Sequence, residues 1–77
     1  MSITIVLADD HPVVRLGLRA LLEAEPDFDL VGEAADGLEV APLVERLRPN
    51  VLVLDLIMPG INGLDVTREV TQKWPET

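Results

Sequence analysis

Three carboxylates stand where apolar runs end. Asp9 and Asp10 follow Ile3-Thr4-Ile5-Val6-Leu7-Ala8, and Asp55 follows Val51-Leu52-Val53-Leu54. Brought together, three acids repel one another and resist full ionisation, a repulsion that a divalent cation relieves. Mg2+ prefers oxygen ligands, takes one or two carboxylates, and keeps its other positions for water and phosphate. A carboxylate beside it can also act as a nucleophile and accept a phosphoryl group as an aspartyl-phosphate. Asp55 is the expected acceptor because it stands singly. Asp9 and Asp10 are expected to hold the metal, Asp10 more directly.

Each part also has an ordinary explanation. An Asp pair before a helix serves as a cap and dipole partner, and one Asp after a strand opens a polar loop. Pro59-Gly60 and Asn62-Gly63 are turn formers that shape the loop and cap the next helix. His11 reads as exposed at a helix start rather than as a ligand or base. Arg15 and Arg19 read as solvated helix face, and Trp74 as a cover for the rim of the core. The combination is more specific than its parts: an acid pair after one strand, a single Asp after another, then Met58-Pro59-Gly60.

The acids converge only if their strands lie side by side. Ile3–Ala8 is a β-branched run of strand length. Pro12 suits a first helical position, with an Asp before it to cap, and Val14, Leu18, Leu21 and Leu22 form an apolar stripe. Phe28 to Ala35 is a weaker strand, and Asp36-Gly37 a turn. Leu38 to Arg48 is helical, and Pro42 is tolerated only in a first turn, so this helix is expected to start near Leu38 to Ala41 or to bend there. Val51–Leu54 is continuously apolar, as in a strand buried on both faces. Leu64 to Lys73 is a third amphipathic helix, stopped by Trp74-Pro75. Alternating strands and helices imply a parallel sheet with right-handed crossovers. In such a sheet the C-terminal strand ends share one edge, where ligands bind.

Composition removes rival classes. The 77 residues carry 14 acids against 6 Lys plus Arg, a net charge of -8, with one histidine and no cysteine. Disulfides, thiolate metal sites and multi-imidazole zinc sites are excluded. The acidity argues against a grip on nucleic-acid phosphates by this segment. No apolar run approaches a membrane span, and Met1-Ser2-Ile3-Thr4 lacks a signal core, so the expected compartment is the cytoplasm. The 48% apolar content is too high for disorder, yet so short a chain is marginal on its own.

At these residues the sequence resembles the receiver domain of two-component response regulators. Ile5-Val6-Leu7-Ala8-Asp9-Asp10-His11-Pro12 is similar to that family's first strand and acidic pair. Val53-Leu54-Asp55-Leu56-Ile57-Met58-Pro59-Gly60-Ile61-Asn62-Gly63 is similar to its phosphoacceptor strand and loop. Asp10 to Leu18 resembles the NarL/FixJ-like subgroup, whose receiver precedes a LuxR-type helix-turn-helix. The resemblance implies an α/β, flavodoxin-like (CheY-like) doubly wound parallel sheet of strand order 2-1-3-4-5, here truncated to three βα units. Residues 1–77 are then a partial receiver, with strands four and five, helices four and five and the DNA-binding domain absent. It implies Asp55 as phosphoacceptor and Mg2+ held by Asp10, Asp55, the Ile57 backbone carbonyl and, through water, Asp9. No catalytic residue beyond Asp55 and no enzyme activity are implied.

The donor would be a histidine kinase or a small phosphodonor such as acetyl phosphate. DNA would be reached only through the missing domain, and no membrane is involved. The family's switch Ser or Thr and its Lys have no position in this chain. An aliphatic Ile57 suggests slow dephosphorylation. An alternative reading is a phosphorylation-incompetent assembly piece, a homodimer or domain swap through an exposed third strand. An Asp-nucleophile phosphohydrolase of the haloacid-dehalogenase type would want an Asp where Ile57 stands.

Overall fold

A computed structural model describes residues 2–77. The elements follow in the order β1 (Ile3–Ala8), α1 (Pro12–Glu23), β2 (Phe28–Ala34), a 3-10 turn (Gly37–Glu39) leading into α2 (Val40–Leu47), β3 (Val51–Leu54) and α3 (Gly63–Lys73). The three strands form one parallel sheet of order β2-β1-β3. β1 is therefore central, and Val6, Leu7 and Ala8 are fully buried. Its register with β3 pairs Ile5 with Val51 and Ala8 with Leu54. On the other side β2 carries one extra residue, Val31, between the partners of Ile5 and Val6.

The chain steps from β1 to β2 on one side and then across to β3 on the other. Right-handed crossovers in opposite directions put α1 and α2 on opposite faces. α3 joins α2, where Val40, Val44, Val66, Val70 and Trp74 pack with Ala8, Ala34 and Met58 into the core. Trp74 is 9% exposed and closes the rim of that core, with Arg48 and Lys73 each 5.9 Å from its ring centroid. Pro42 is the third residue of α2, where its missing N–H would have had no intrahelical partner. The 3-10 turn before it is capped by Asp36, which accepts from Leu38 N at 2.6 Å. No helix among the described residues is long and apolar enough to cross a membrane.

Three expectations fail. The α1 stripe is not a core face: no α1 residue is buried, and Val14 and Leu21 are 48% and 70% exposed. The other two helices lie across the sheet, so α1 packs on strands alone. β3 is not buried on both faces, with Val51 41% exposed and Leu52 to Leu54 half-buried. It is an edge of this sheet, paired only with β1. Finally, no Asp caps α1. His11 is its N-cap residue and makes no side-chain cap bond.

Candidate functional site: an acidic cluster at the C-terminal sheet edge

The backbone ladder runs one residue past the strands into both acids. Asp9 N donates to Ala34 O at 3.0 Å, and Asp55 N donates to Ala8 O at 2.9 Å. Asp9 is thus tied to β2 and Asp55 to β1, which fixes both at the same edge. Beyond Asp55 the loop closes onto α3. Gly63 N donates to Leu56 O at 2.9 Å, and Asn62 Oδ1 caps α3 by accepting from Asp65 N at 3.0 Å. A side chain at Gly63 would run into the Leu56 Cα and come within 2.8 Å of Asp55 O. Glycine there lets the first turn of α3 press against the segment that carries the acceptor.

The acids meet around one point, and that point is His11 Nδ1. It lies 2.9 Å from Asp9 Oδ1, 3.1 Å from Asp10 Oδ1 and 3.4 Å from Asp55 Oδ2. The Asp9 side chain is 8% exposed, and its Oδ1 also accepts from His11 N at 2.8 Å. That backbone bond is the main reason the Asp9 carboxyl is held below its ordinary value. The hydrogen bond that the imidazole donates to Asp9, with the nearby Asp10 and Asp55 charges, pushes His11 up. Asp55 Oδ1 accepts from Ile57 N at 3.1 Å, which leaves Oδ2 facing the cluster.

Ligand atoms of Asp9, Asp10, His11 and Asp55 all lie within 4.8 Å of one another. Asp10 Oδ1 is buried and has no hydrogen-bond partner. His11 Nδ1, though close, is not aligned to donate to it. A buried carboxylate oxygen without a donor is costly, and a cation satisfies it. A set dominated by carboxylate oxygens fits a hard divalent cation such as Mg2+.

Residues 5–77 match the response regulator receiver domain. The chain belongs to that family. Relatives include the transcriptional regulatory protein LiaR of Bacillus subtilis, 44% identical over 92% of this chain and 34% of that protein. Among solved structures, a LuxR-family two-component response regulator from Aurantimonas is 42% identical with a TM-score of 0.87, over 94% of this chain and 51% of the other. RcsB from Salmonella enterica serovar Typhimurium, bound to the promoter rprA with the phosphomimetic BeF3-, is 31% identical with a TM-score of 0.90, over 97% of this chain and 63% of that one. The receiver spans about a third of the length of the curated relatives it matches. Those relatives are mostly transcriptional regulators.

The receiver brings Asp9, Asp10 and Asp55 together as the spacing requires. Ile57 stands at the rim, its side chain 81% exposed and its amide on Asp55. Two readings change. His11 is exposed, at 60% of its side chain, but its ring nitrogen sits inside the cluster. The signal was its position directly after the acid pair. Arg15 and Arg19 are not free solvated face. Arg15 Nη1 donates to Asp9 O at 3.0 Å, Arg15 Nε lies 3.4 Å from Glu33 Oε1, and Arg19 Nη1 lies 3.2 Å from Glu33 Oε2. No local pattern marks Glu33 as their partner, because the pairing needs β2 beside β1.

Proposed function

We propose that this receiver accepts a phosphoryl group on Asp55. One observation carries the reading: carboxylate oxygens of Asp9, Asp10 and Asp55 lie within 4.8 Å of one another at the C-terminal sheet edge. Asp55 is suited to the acceptor role because Ile57 N holds its Oδ1 and leaves Oδ2 turned toward the cluster. In the reaction Asp55 forms the new O–P bond. The donor's P–N bond (phosphohistidine of a kinase) or P–O bond (acetyl phosphate) breaks, and its electron pair leaves with the imidazole or the acetate. Asp10 and Asp55, the Ile57 carbonyl and, through water, Asp9 would hold Mg2+. When bound, Mg2+ supplies positive charge that offsets the charge of the transferring group.

The apolar Ile57 side chain offers no polar atom to guide an attacking water, which favours a long-lived phosphoryl group. In the full protein the added charge of about -1.5 to -2 at this edge would bias a two-state element and so control transcription through a separate DNA-binding domain, in the cytoplasm. The test is intact mass after acetyl phosphate and Mg2+. A phosphate adduct is expected on the wild type and absent from Asp55→Asn and from chain treated with EDTA. An adduct that survives Asp55→Asn, or none on the wild type, overturns the reading. A phosphoryl lifetime unchanged in Ile57→Asn removes the role given to Ile57.

A further inference from the structure

The ladder between β1 and β2 ends at the acid pair. Asp9 N donates to Ala34 O, but no backbone N–H among the described residues donates to the Asp9 carbonyl. A side chain takes that place. Arg15 Nη1 reaches back from α1 and donates to Asp9 O at 3.0 Å. The same guanidinium is held from β2, its Nε 3.4 Å from Glu33 Oε1, and the two side chains are only 27% and 26% exposed. Arg19 shares Glu33, with Nη1 3.2 Å from Oε2, but makes no bond to the acid pair. The Asp9 carbonyl belongs to the peptide unit that joins Asp9 to Asp10. That unit is planar, so a bond that fixes its oxygen also fixes the direction in which the chain leaves for Asp10. Asp10 Oδ1 has no hydrogen-bond partner of its own, so the backbone is what aims it.

Resting on the function proposed above, we propose that Arg15 is a positioning residue for phosphoryl acceptance: through the Asp9 carbonyl it holds the peptide unit that aims Asp10 into the acid cluster. Glu33 orients its guanidinium. Arg15 acts through the backbone and forms no ion pair with the three acids. Charge alone predicts the opposite effect. A cation this near the acids repels a metal ion, so removing it should tighten Mg2+. A merely structural pair between α1 and β2 predicts no change in affinity while the chain is folded. Arg19, bound to the same Glu33, is the control for that case.

Mg2+ is titrated by calorimetry into wild type, Arg15→Ala, Arg15→Lys, Arg19→Ala and Asp10→Asn, each at a temperature where circular dichroism shows it folded. Arg15→Ala is expected to weaken Mg2+ about 10-fold, the scale of losing a group that orients a metal ligand, and Arg19→Ala to leave it within about twofold. Arg15→Lys keeps the charge, but its ammonium ends one atom short of Nη1 and offers no fork for two partners, so it should weaken Mg2+ as well. In acetyl phosphate labelling of Asp55, the Mg2+ needed for half the maximal rate should rise by the same factor in Arg15→Ala. The rate at saturating Mg2+ should stay close to wild type. Without metal, the Asp10 amide resonance should shift in Arg15→Ala and hold in Arg19→Ala, because that amide shares its peptide unit with the Asp9 carbonyl. Mg2+ bound by Arg15→Ala as tightly as by wild type or tighter, or equal losses in Arg15→Ala and Arg19→Ala, overturns the inference. The metal site stands in that case, provided Asp10→Asn still abolishes binding. If Arg15→Ala does not fold, Arg15→Lys decides, and wild-type affinity there overturns the inference. If wild type takes no Mg2+, or Asp10→Asn binds it as wild type does, the metal site falls and the inference with it.

Discussion

Two glycines, each in a helix, should respond to alanine with opposite sign. Gly17 lies in the middle of α1, and a Cβ built there meets nothing within 4 Å. Removing the conformational cost of glycine from an exposed helix stabilises by about 0.5–1 kcal/mol. For a domain of this size that raises the melting temperature by about 4 °C. Gly63 is the first residue of α3, and its φ is not positive, so its backbone would accept alanine. Space is what forbids it. The new methyl would strike the Leu56 backbone, within 2.8 Å of Asp55 O and 3.0 Å of Leu56 O. The loop would have to move by roughly half an ångström or more, and such overpacking costs about 1–3 kcal/mol. Even after the full helix-propensity gain of about 1 kcal/mol, Gly63→Ala should lose up to about 2 kcal/mol and melt below wild type. The displaced segment carries Asp55, so labelling by acetyl phosphate should slow as well. Thermal melts by far-UV circular dichroism, on both single variants beside wild type, decide the matter. A Gly63→Ala chain that melts at or above wild type would refute the steric account.

Three further outcomes are expected. Trp74→Ala empties the rim of the α2–α3 core and should cost about 3–5 kcal/mol, enough to abolish cooperative melting in so small a chain. Glu33→Ala removes the shared partner of Arg15 and Arg19, groups that are about a quarter to two-fifths exposed. It should cost no more than about 1 kcal/mol, and the loss should shrink in high salt, as measured by urea midpoints at two ionic strengths. The His11 imidazole is held above its ordinary 6.5, chiefly by its hydrogen bond to Asp9. Its contribution to stability is therefore complete below about 6.5 and lost as pH rises through the raised folded value. Asp9, held below its ordinary 3.8 chiefly by the His11 amide, stabilises above that value and loses its contribution as pH falls through the lowered one. Melts in EDTA across this range should show an alkaline decline that His11→Gln lacks. An identical decline in both chains would contradict the assignment.

Local chemistry made much of this protein readable in one dimension. The β-branched run Ile3–Ala8 is a strand, Pro42 falls in a first turn, and Asn62 caps α3, because each depends on neighbours a few residues away. The acid site was readable too: strands of one parallel sheet end on one edge, so Asp9, Asp10 and Asp55 had to meet once β1 and β3 were paired. What tertiary structure decided was which surfaces face which. An apolar stripe says that α1 has a face to bury, and not that a strand pair is all that covers it. An apolar run such as Val51–Leu54 reads the same at the centre of a sheet as at its edge; the strand order decides, and the order β2-β1-β3 leaves it at the edge, as the resemblance's order limited to three strands implied. Glu33 met Arg15 and Arg19 because β2 lies beside β1, and a pairing across strands leaves no periodic trace in the chain. His11 joined the acids because α1 starts without a capping side chain. Asp9 takes the His11 amide instead, and that bond turns the ring nitrogen toward the cluster.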